Sequence, residues 1–171
     1  MRNGRIVAVQ NATFGLDSGE CMALLGVNGA GKTTCFKILT NEVTRTSGHA
    51  EVMGFDIEQE FSEAAQHIGY CPQYEALFDT LTVEEHLHYY GRLKQVKDLA
   101  EEVERLIKAL NLIVERRKQA CTLSGGNKRK LSVAIALIGR SPVVLLDEPS
   151  SGMDPQARRF MWSVIQQFCG Q

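Results

Sequence analysis

Two stretches of the chain are almost uninterrupted in apolar character, and both are short. Glu20 to Val27 reads ECMALLGV, an apolar run bounded by glycines at Gly19 and Gly26. Val143-Val144-Leu145-Leu146 puts four branched side chains in a row after Ser141-Pro142. Runs of this length bounded by turn residues predict strands buried on both faces, as in a parallel sheet. Arg5 to Leu16 alternates in part, through Ile6, Ala8, Phe14 and Leu16, and ends at the turn Asp17-Ser18-Gly19. Ala50–Phe55 and His67–Cys71 are further strand candidates, the second stopped by Pro72, and Thr44–Gly48 between helix and strand is a turn. Elsewhere the apolar spacing is helical. Lys32–Leu39 carries Phe36 and Leu39 with Cys35 beside them, and Phe61–Gln66 is a short helix candidate. Thr82 followed by Glu85 fits a capping box, so a helix is expected from there to about Gly91. Asp98–Leu110 shows the stripe Leu99, Val103, Leu106, Ile107, Leu110, and Asn127–Ile138 is another helix. Pro155 opens a last helix, Gln156–Phe168, from an allowed first-turn position. Strand-rich segments thus flank a helical insert, which predicts an α/β fold with a mostly parallel sheet core, an N-terminal β-rich part and an inserted α-helical subdomain.

Composition narrows the class without naming it. At 171 residues with 44% apolar and 23% charged content, the chain is long enough to bury a core without staples. Nineteen Lys+Arg against 20 Asp+Glu leave a net charge of -1, so no nucleic-acid partner is expected. Lys128-Arg129-Lys130 and Arg116-Arg117-Lys118 are read as solvated helix faces. The five cysteines are odd in number, form no CxxC pair and show no zinc spacing, so reduced thiols are expected. No apolar run reaches the 18 residues of a membrane span, and the apolar stretch after Met1-Arg2-Asn3-Gly4-Arg5 is too short for a signal peptide. Trp162 and Phe14 are expected in the core, and Tyr89-Tyr90 in helix packing.

The chemistry is concentrated in two strings. Gly26-Val27-Asn28-Gly29-Ala30-Gly31-Lys32-Thr33 matches GxxxxGK[ST] without a mismatch, after a predicted strand and opening a predicted helix. Glycines there let successive backbone N–H groups face phosphate oxygens, and the helix start adds about half a positive charge. Lys32 supplies a full charge to the β- and γ-phosphates, and the Thr33 hydroxyl is a hard oxygen suited to Mg²⁺. Thr34 continues the cradle into the helix. The second string, Leu146-Asp147-Glu148-Pro149, sets two carboxylates at the end of a buried strand, where open α/β sheets bind ligands. Asp147 is placed to reach the metal, through a bound water, and Glu148 to polarise an attacking water as general base. A solvated loop with two acids is the alternative for the second string taken alone.

Further strings carry a resemblance. Leu123-Ser124-Gly125-Gly126-Asn127 resembles the LSGGQ signature of ABC-type ATPase domains, Tyr70-Cys71-Pro72-Gln73 looks like their Q-loop, and Ser150-Ser151-Gly152-Met153-Asp154 is similar to their D-loop. The order of these strings matches the family over essentially the whole chain. GVNGAGKTT, NKRKLS and LLDEPSSGMDP look most like the A subfamily, whose eukaryotic members move lipids.

The resemblance implies a P-loop ATPase fold, with residues 1–73 and 139–171 as catalytic core and 74–138 as helical subdomain. It implies an ATP-hydrolysing motor of a transmembrane transporter, with ATP and Mg²⁺ bound and the domain at the cytoplasmic face of a membrane. Gln73 would sense the γ-phosphate and the metal. Ser124, Gly125 and Gly126 would contact ATP held by a second such domain, and Asp154 would act across the same interface. The segment 74–81 would meet the transmembrane part, with Leu77 and Phe78 as its apolar contacts. Asn127 departs from the family's usual Gln and marks the subfamily. The family's switch histidine lies some way beyond the acidic pair, whereas His49, His67, His86 and His88 all precede the signature. The adenine-stacking aromatic lies upstream of the first strand, where only Met1–Gly4 are available. The chain is therefore expected to be part of a domain of about 220 residues, an ordinary domain size. A soluble ABC-type ATPase acting on ribosomes or DNA, and a regulatory module that does not hydrolyse, are the competing readings. The coiled-coil form is excluded by the spacing of about 90 residues between Lys32 and Ser124, and Glu148 argues against the regulatory module.

Overall fold

The structure is a computed structural model and describes residues 7–169. Its elements follow the sequence in order: α1 (Lys32–Leu39), β1 (Glu51–Val52), β2 (Phe55–Asp56), α2 (Phe61–Gln66), β3 (Ile68–Cys71), α3 (Val83–Leu93), α4 (Leu99–Ala109), a 3₁₀ turn (Ala120–Thr122), α5 (Gly125–Leu137), β4 (Val143–Leu146) and α6 (Pro155–Cys169). The reading on Met1–Gly4 lies outside the described residues.

Strand β3 pairs with β4 in parallel, Ile68 opposite Val143 and Cys71 opposite Leu146. The ladder continues one step further, where the Asp147 N–H donates to the Cys71 carbonyl at 2.9 Å. Both strands therefore end side by side, and the residues that follow them, Pro72-Gln73 and Asp147-Glu148, start from one edge. Helix α5 lies across the pair. Gly69 makes that approach possible, because a Cβ there would overlap the Ala136 carbonyl oxygen of α5.

Two apolar clusters fill the interior. The larger joins α3, α4, α5 and α6 through Leu87, Leu106, Ile107, Leu131 and Met161, and includes Cys71 of β3. The smaller gathers Val52, Ile57, Ala64, Ile68 and Leu145, with Phe36, Ile38 and Leu39 of α1 against it. Helix α1 is thereby seated beside the strand that carries the acidic pair. Helix α3 starts with the expected capping box: the Thr82 hydroxyl accepts from the Glu85 N–H at 3.2 Å, and the Glu85 carboxylate accepts from the Thr82 N–H at 2.7 Å.

Four expectations need correction. The Ala50–Phe55 segment is not one strand but the start of an antiparallel hairpin, Val52 opposite Phe55, turned at Met53 (φ 55) and Gly54 (φ 83). Two successive left-handed residues make the tight turn that suits the strand twist. Glu20–Val27 is not a buried strand among the described residues: it joins no ladder, and Leu25 and Val27 are exposed. An apolar run shows a wish to be covered, whereas a strand also needs a partner edge, and β4 takes its ladder from β3 alone. Among the described residues before β3, the β-rich N-terminal part is consequently reduced to the β1–β2 hairpin. Trp162 and Phe14 lie on the surface, at 43% and 44% exposure, not in the core. Arg129 is not on a solvated face: it is 3% exposed.

Candidate functional site

The loop Gly26–Gly31 runs directly into α1. Gly31 caps the helix with φ 91 and no side-chain hydrogen bond, so the first helical N–H groups keep their donors free. A side chain at Gly31 would be strained by that φ and would collide with the Ala8 carbonyl and Val9. The Ala30 N–H bonds the Val27 carbonyl at 3.1 Å and tightens the turn around Asn28 and Gly29. Lys32 folds back over the same loop: its Nζ donates to the Gly26 carbonyl at 2.7 Å and the Val27 carbonyl at 3.1 Å. Thr33 and Thr34 follow, half-buried in the first turn. Phe14 lines the shallow cleft of about 240 Å³ beside this loop, with Leu24, Ala30 and Lys32.

The acidic pair sits where β4 ends. Asp147 is 2% exposed, and its Oδ2 is buried without a hydrogen-bond partner. A buried carboxylate oxygen left unpaired is costly unless something outside the chain completes it. Glu148 is exposed and holds a left-handed backbone, φ 49, a conformation that costs a non-glycine residue about 1 kcal/mol or more. That turn aims its carboxylate at the loop after β3, where the Gln73 Nε2 donates to Glu148 Oε2 at 3.4 Å. Gln73 and Glu148 are 75 residues apart in the chain, and the parallel ladder of β3 and β4 sets them at neighbouring strand ends.

Arg129, expected from composition on a wet helix face, is the main polar contact of this region. Its Nη1 donates to the carbonyls of Pro72 at 2.6 Å and Gln73 at 3.2 Å. Its Nη2 donates to the carbonyls of Asp147 and of Glu148, the latter at 2.7 Å, and its Nε to that of Pro149 at 3.3 Å. The signal that could have found it is periodic: Arg129 shares its face of α5 with buried Val133, Ala136 and Leu137. Burial also acts on two neighbours in β3. Desolvation pushes the Cys71 thiol up to about 11, with Arg129 pulling it down and Asp147 raising it. Burial likewise raises the Tyr70 hydroxyl to about 12.

The glycine-rich corner forms the start of the same helix. Ser124 caps α5, its hydroxyl accepting from the Asn127 N–H at 3.3 Å. Ser124 and Gly125 are exposed, and Gly125 and Gly126 face open space. Asp154 has a task within the chain: its Oδ1 accepts from the N–H groups of Gln156 at 2.9 Å and Ala157 at 3.0 Å. These bonds hold its carboxyl below the usual range and start α6. In the segment 74–81, Leu77 turns in against the large cluster, while Tyr74 and Phe78 are exposed. Phe78 is fixed by His86, a buried side chain that sequence reading left aside. The His86 Nε2 accepts from the Phe78 N–H at 3.0 Å, and its Nδ1 faces the Thr82 carbonyl at 2.8 Å. The proton then resides on Nδ1. Among the described residues, no hydrogen bond or ion pair links Lys32 or Thr33 to Asp147, Glu148, Gln73 or Ser124; Asp147, Glu148 and Gln73 are held together, and the loop is seated beside them through α1.

The donor set can be tested against a magnesium ion. Thr33 offers a hydroxyl, Gln73 an amide oxygen and Asp147 a carboxylate with one buried oxygen unpartnered, all hard ligands of the kind Mg²⁺ takes. The residues fit the ion.

The family described as "ABC transporter" matches residues 9–151. The human retinal-specific phospholipid-transporting ATPase ABCA4 is 56% identical over 162 residues, which cover 92% of this chain and 7% of that protein. The mouse glucosylceramide transporter ABCA12 is 45% identical over 166 residues, 94% of this chain and 6% of that protein. Among solved structures, an ATP-binding subunit of an ABC transporter superposes with a TM-score of 0.84 at 27% identity, covering 95% of this chain and 68% of that one. A dimeric bacterial ABC transporter cassette shares the fold with a TM-score of 0.86 at 21% identity, covering 99% of this chain and 78% of that one. The chain spans about 7% of the length of the first of these relatives, so the likeness concerns their ATP-binding part. The chain belongs to the ABC transporter family, as an ATPase cassette domain of P-loop fold.

Proposed function

We propose that the chain hydrolyses ATP as the motor of a membrane transporter of lipids, working in a head-to-tail pair with a second cassette. The observation that carries the reading is the meeting of Gln73 and Glu148 at the joined ends of β3 and β4, with the unpartnered Asp147 oxygen beside them. Ligand crevices in open α/β sheets lie at such strand ends. The nucleotide tail is held by Gly26, Val27, Asn28, Gly29, Ala30, Gly31, Lys32, Thr33 and Thr34. Lys32 exchanges the two loop carbonyls it now holds for phosphate oxygens. The free N–H groups at the start of α1 add neutralisation aimed at the charge of the transferring phosphoryl group. Glu148 takes the proton of a water that attacks the γ-phosphorus, as the bond to the ADP oxygen breaks. Gln73 orients that water from the opposite loop. Magnesium, when bound, neutralises charge on the β- and γ-phosphate oxygens; Thr33, Gln73 and, through a water, Asp147 are the residues that would hold it.

Pairing is supported by the corner Ser124-Gly125-Gly126. It is an exposed helix start with open space over both glycines and no lysine of its own, which suits a second, completing contact to a phosphate held elsewhere. Asp154 lies exposed on the chain that leaves the acidic pair and acts across the same interface. The catalytic core is 1–73 with 139–171, and 74–138 is the helical subdomain. Exposed Tyr74 and Phe78 suit the segment 74–81 to a transmembrane partner, and the domain would sit on the cytoplasmic side of the membrane. Among the described residues no helix is long and apolar enough to cross a membrane, so spans would belong to that partner. Lipid is proposed as cargo because two relatives, at 56% and 45% identity, are named as phospholipid-transporting and as a glucosylceramide transporter.

The test is Glu148→Gln in the full reading frame that carries this chain. Steady-state ATP hydrolysis is expected to fall by about 10² to 10⁴, the range for removing a general base, while ATP stays bound in a closed pair. Unchanged turnover would refute the role given to Glu148.

A further inference from the structure

All five N–H donors of the Arg129 guanidinium are used, and all five acceptors are main-chain carbonyls of two loops. Two belong to Pro72 and Gln73, which follow β3. Three belong to Asp147, Glu148 and Pro149, which follow β4. Among the described residues no carboxylate pairs with Arg129, so the side chain acts as a staple between these loops and not as half of a salt bridge. A buried cation is costly to keep, and here its cost is offset by five hydrogen bonds to the backbone that carries Gln73 and Glu148. The left-handed Glu148 is part of what is fixed, since its own carbonyl is one of the five acceptors. The staple is mounted on α5, whose first residue follows Ser124. Arg129 lies five positions on from Ser124, about 7.5 Å of rise.

We propose that Arg129 is a positioning residue for hydrolysis: it sets the distance between Gln73 and Glu148, and α5 makes that distance answer to what Ser124 touches. A contact made at the helix start on one face is thereby transmitted to the water-activating pair on the other. In a head-to-tail pair, the site that a cassette closes with Ser124 is its partner's, and the site it sets with Arg129 is its own. One rigid helix then ties the two nucleotide sites together. The inference rests on the roles proposed above for Gln73, Glu148 and Ser124.

Arg129→Lys keeps the charge but replaces a planar fork by a point donor with three N–H groups, too few for five carbonyls. In the full reading frame, kcat is expected to fall by about 10²-fold, the effect of a displacement near 1 Å at reacting groups. The affinity for a fluorescent ATP analogue should stay within about threefold, because α1 and its loop are not held by Arg129. A purely structural arginine would not produce that split. The decisive reading is a double-mutant cycle of single-turnover rates with Glu148→Gln. If Arg129 acts through Glu148, R129K costs less than about threefold in the E148Q background. A loss that multiplies equally in both backgrounds, a loss carried only by nucleotide affinity, or an unchanged kcat each overturns the proposal. Failure of E148Q itself to slow hydrolysis refutes the functional reading beneath it instead.

Should the lysine variant not fold, hydrogen exchange on the unsubstituted protein decides the matter. Segments 72–75, 125–130 and 147–150 are expected to gain protection together as Mg-ATP is added. Gains at separate nucleotide concentrations overturn the staple.

Discussion

Gly69 of β3 and Ala136 of α5 touch backbone to backbone, so closely that a single carbon on Gly69 would occupy the position of the Ala136 carbonyl oxygen. The neighbour is helix main chain and cannot turn aside as a side chain would. Gly69→Ala is therefore expected to push α5 away from β3 and destabilise the fold by about 1–3 kcal/mol, the usual range for overpacking. Urea unfolding of the two proteins measures it, and an unshifted midpoint would contradict the packing. The same shift moves Arg129 off its carbonyls, so ATP turnover should drop with stability.

Among the described residues, the Lys32 side chain bonds only to its own loop, through the Gly26 and Val27 carbonyls, both exposed contacts. Removing it costs the fold little. Lys32→Ala is expected to leave the melting temperature nearly unchanged and to abolish ATP binding in an equilibrium titration. Retained nucleotide affinity would sink the assignment of residues 26–34 as a phosphate cradle.

Thiol chemistry offers a check on β3. Cys21 and Cys121 are exposed, whereas Cys71 is buried with its thiol raised to about 11, chiefly by desolvation. At pH 8 the thiolate needed for alkylation is then scarce at Cys71. Iodoacetamide on the native protein, read by peptide mass spectrometry, should modify Cys21 and Cys121 and spare Cys71 until denaturant is added. Rapid labelling of Cys71 in the native state would show β3 to be open.

Glu102 of α4 is 6% exposed and receives the Arg105 Nε at 2.8 Å and Arg140 at 3.5 Å. Burial raises its carboxyl, but the hydrogen bonds and charges of Arg105 and Arg140 outweigh that and hold it below the ordinary value. A depressed carboxyl stabilises the fold above its unfolded pKa, near 4.3, and loses that contribution as pH falls through the folded value. Glu102→Gln is thus expected to cost about 1–3 kcal/mol at pH 7, with the gap closing below about pH 4. Denaturant melts at pH 7 and pH 3.5 measure both ends; an equal gap at both would contradict the ion pair.

Local signals were legible and distant ones were not. Thr82 and Glu85 act within one helical turn, so their capping box can be read from spacing alone, as can the stripe from Leu99 to Leu110. Val143–Leu146 is legible as a branched apolar run, and Ile68–Cys71 as part of a short strand candidate stopped by Pro72. The pairing of these strands gives Gln73 its contact with Glu148, and no local pattern encodes a ladder between residues 75 apart. Glu20–Val27 shows the limit from the other side: apolar character was read correctly, but the existence of a partner strand was not available to reading. Arg129 was hidden between Lys128 and Lys130, where composition suggests water; only its place on the buried stripe of α5 distinguishes it. Phe14 and Trp162 show that a large ring is no guarantee of burial.

The acceptors of Arg129 are oxygens that every amino acid carries. Swapping the side chain at 73, 147, 148 or 149 leaves each of those oxygens in place. Architecture and reactivity are in this way inherited separately: a sister cassette could shed its water-activating acid and still assemble, signal and bind nucleotide. Asymmetric pairs, one half chemically silent, are reachable from this fold by single replacements.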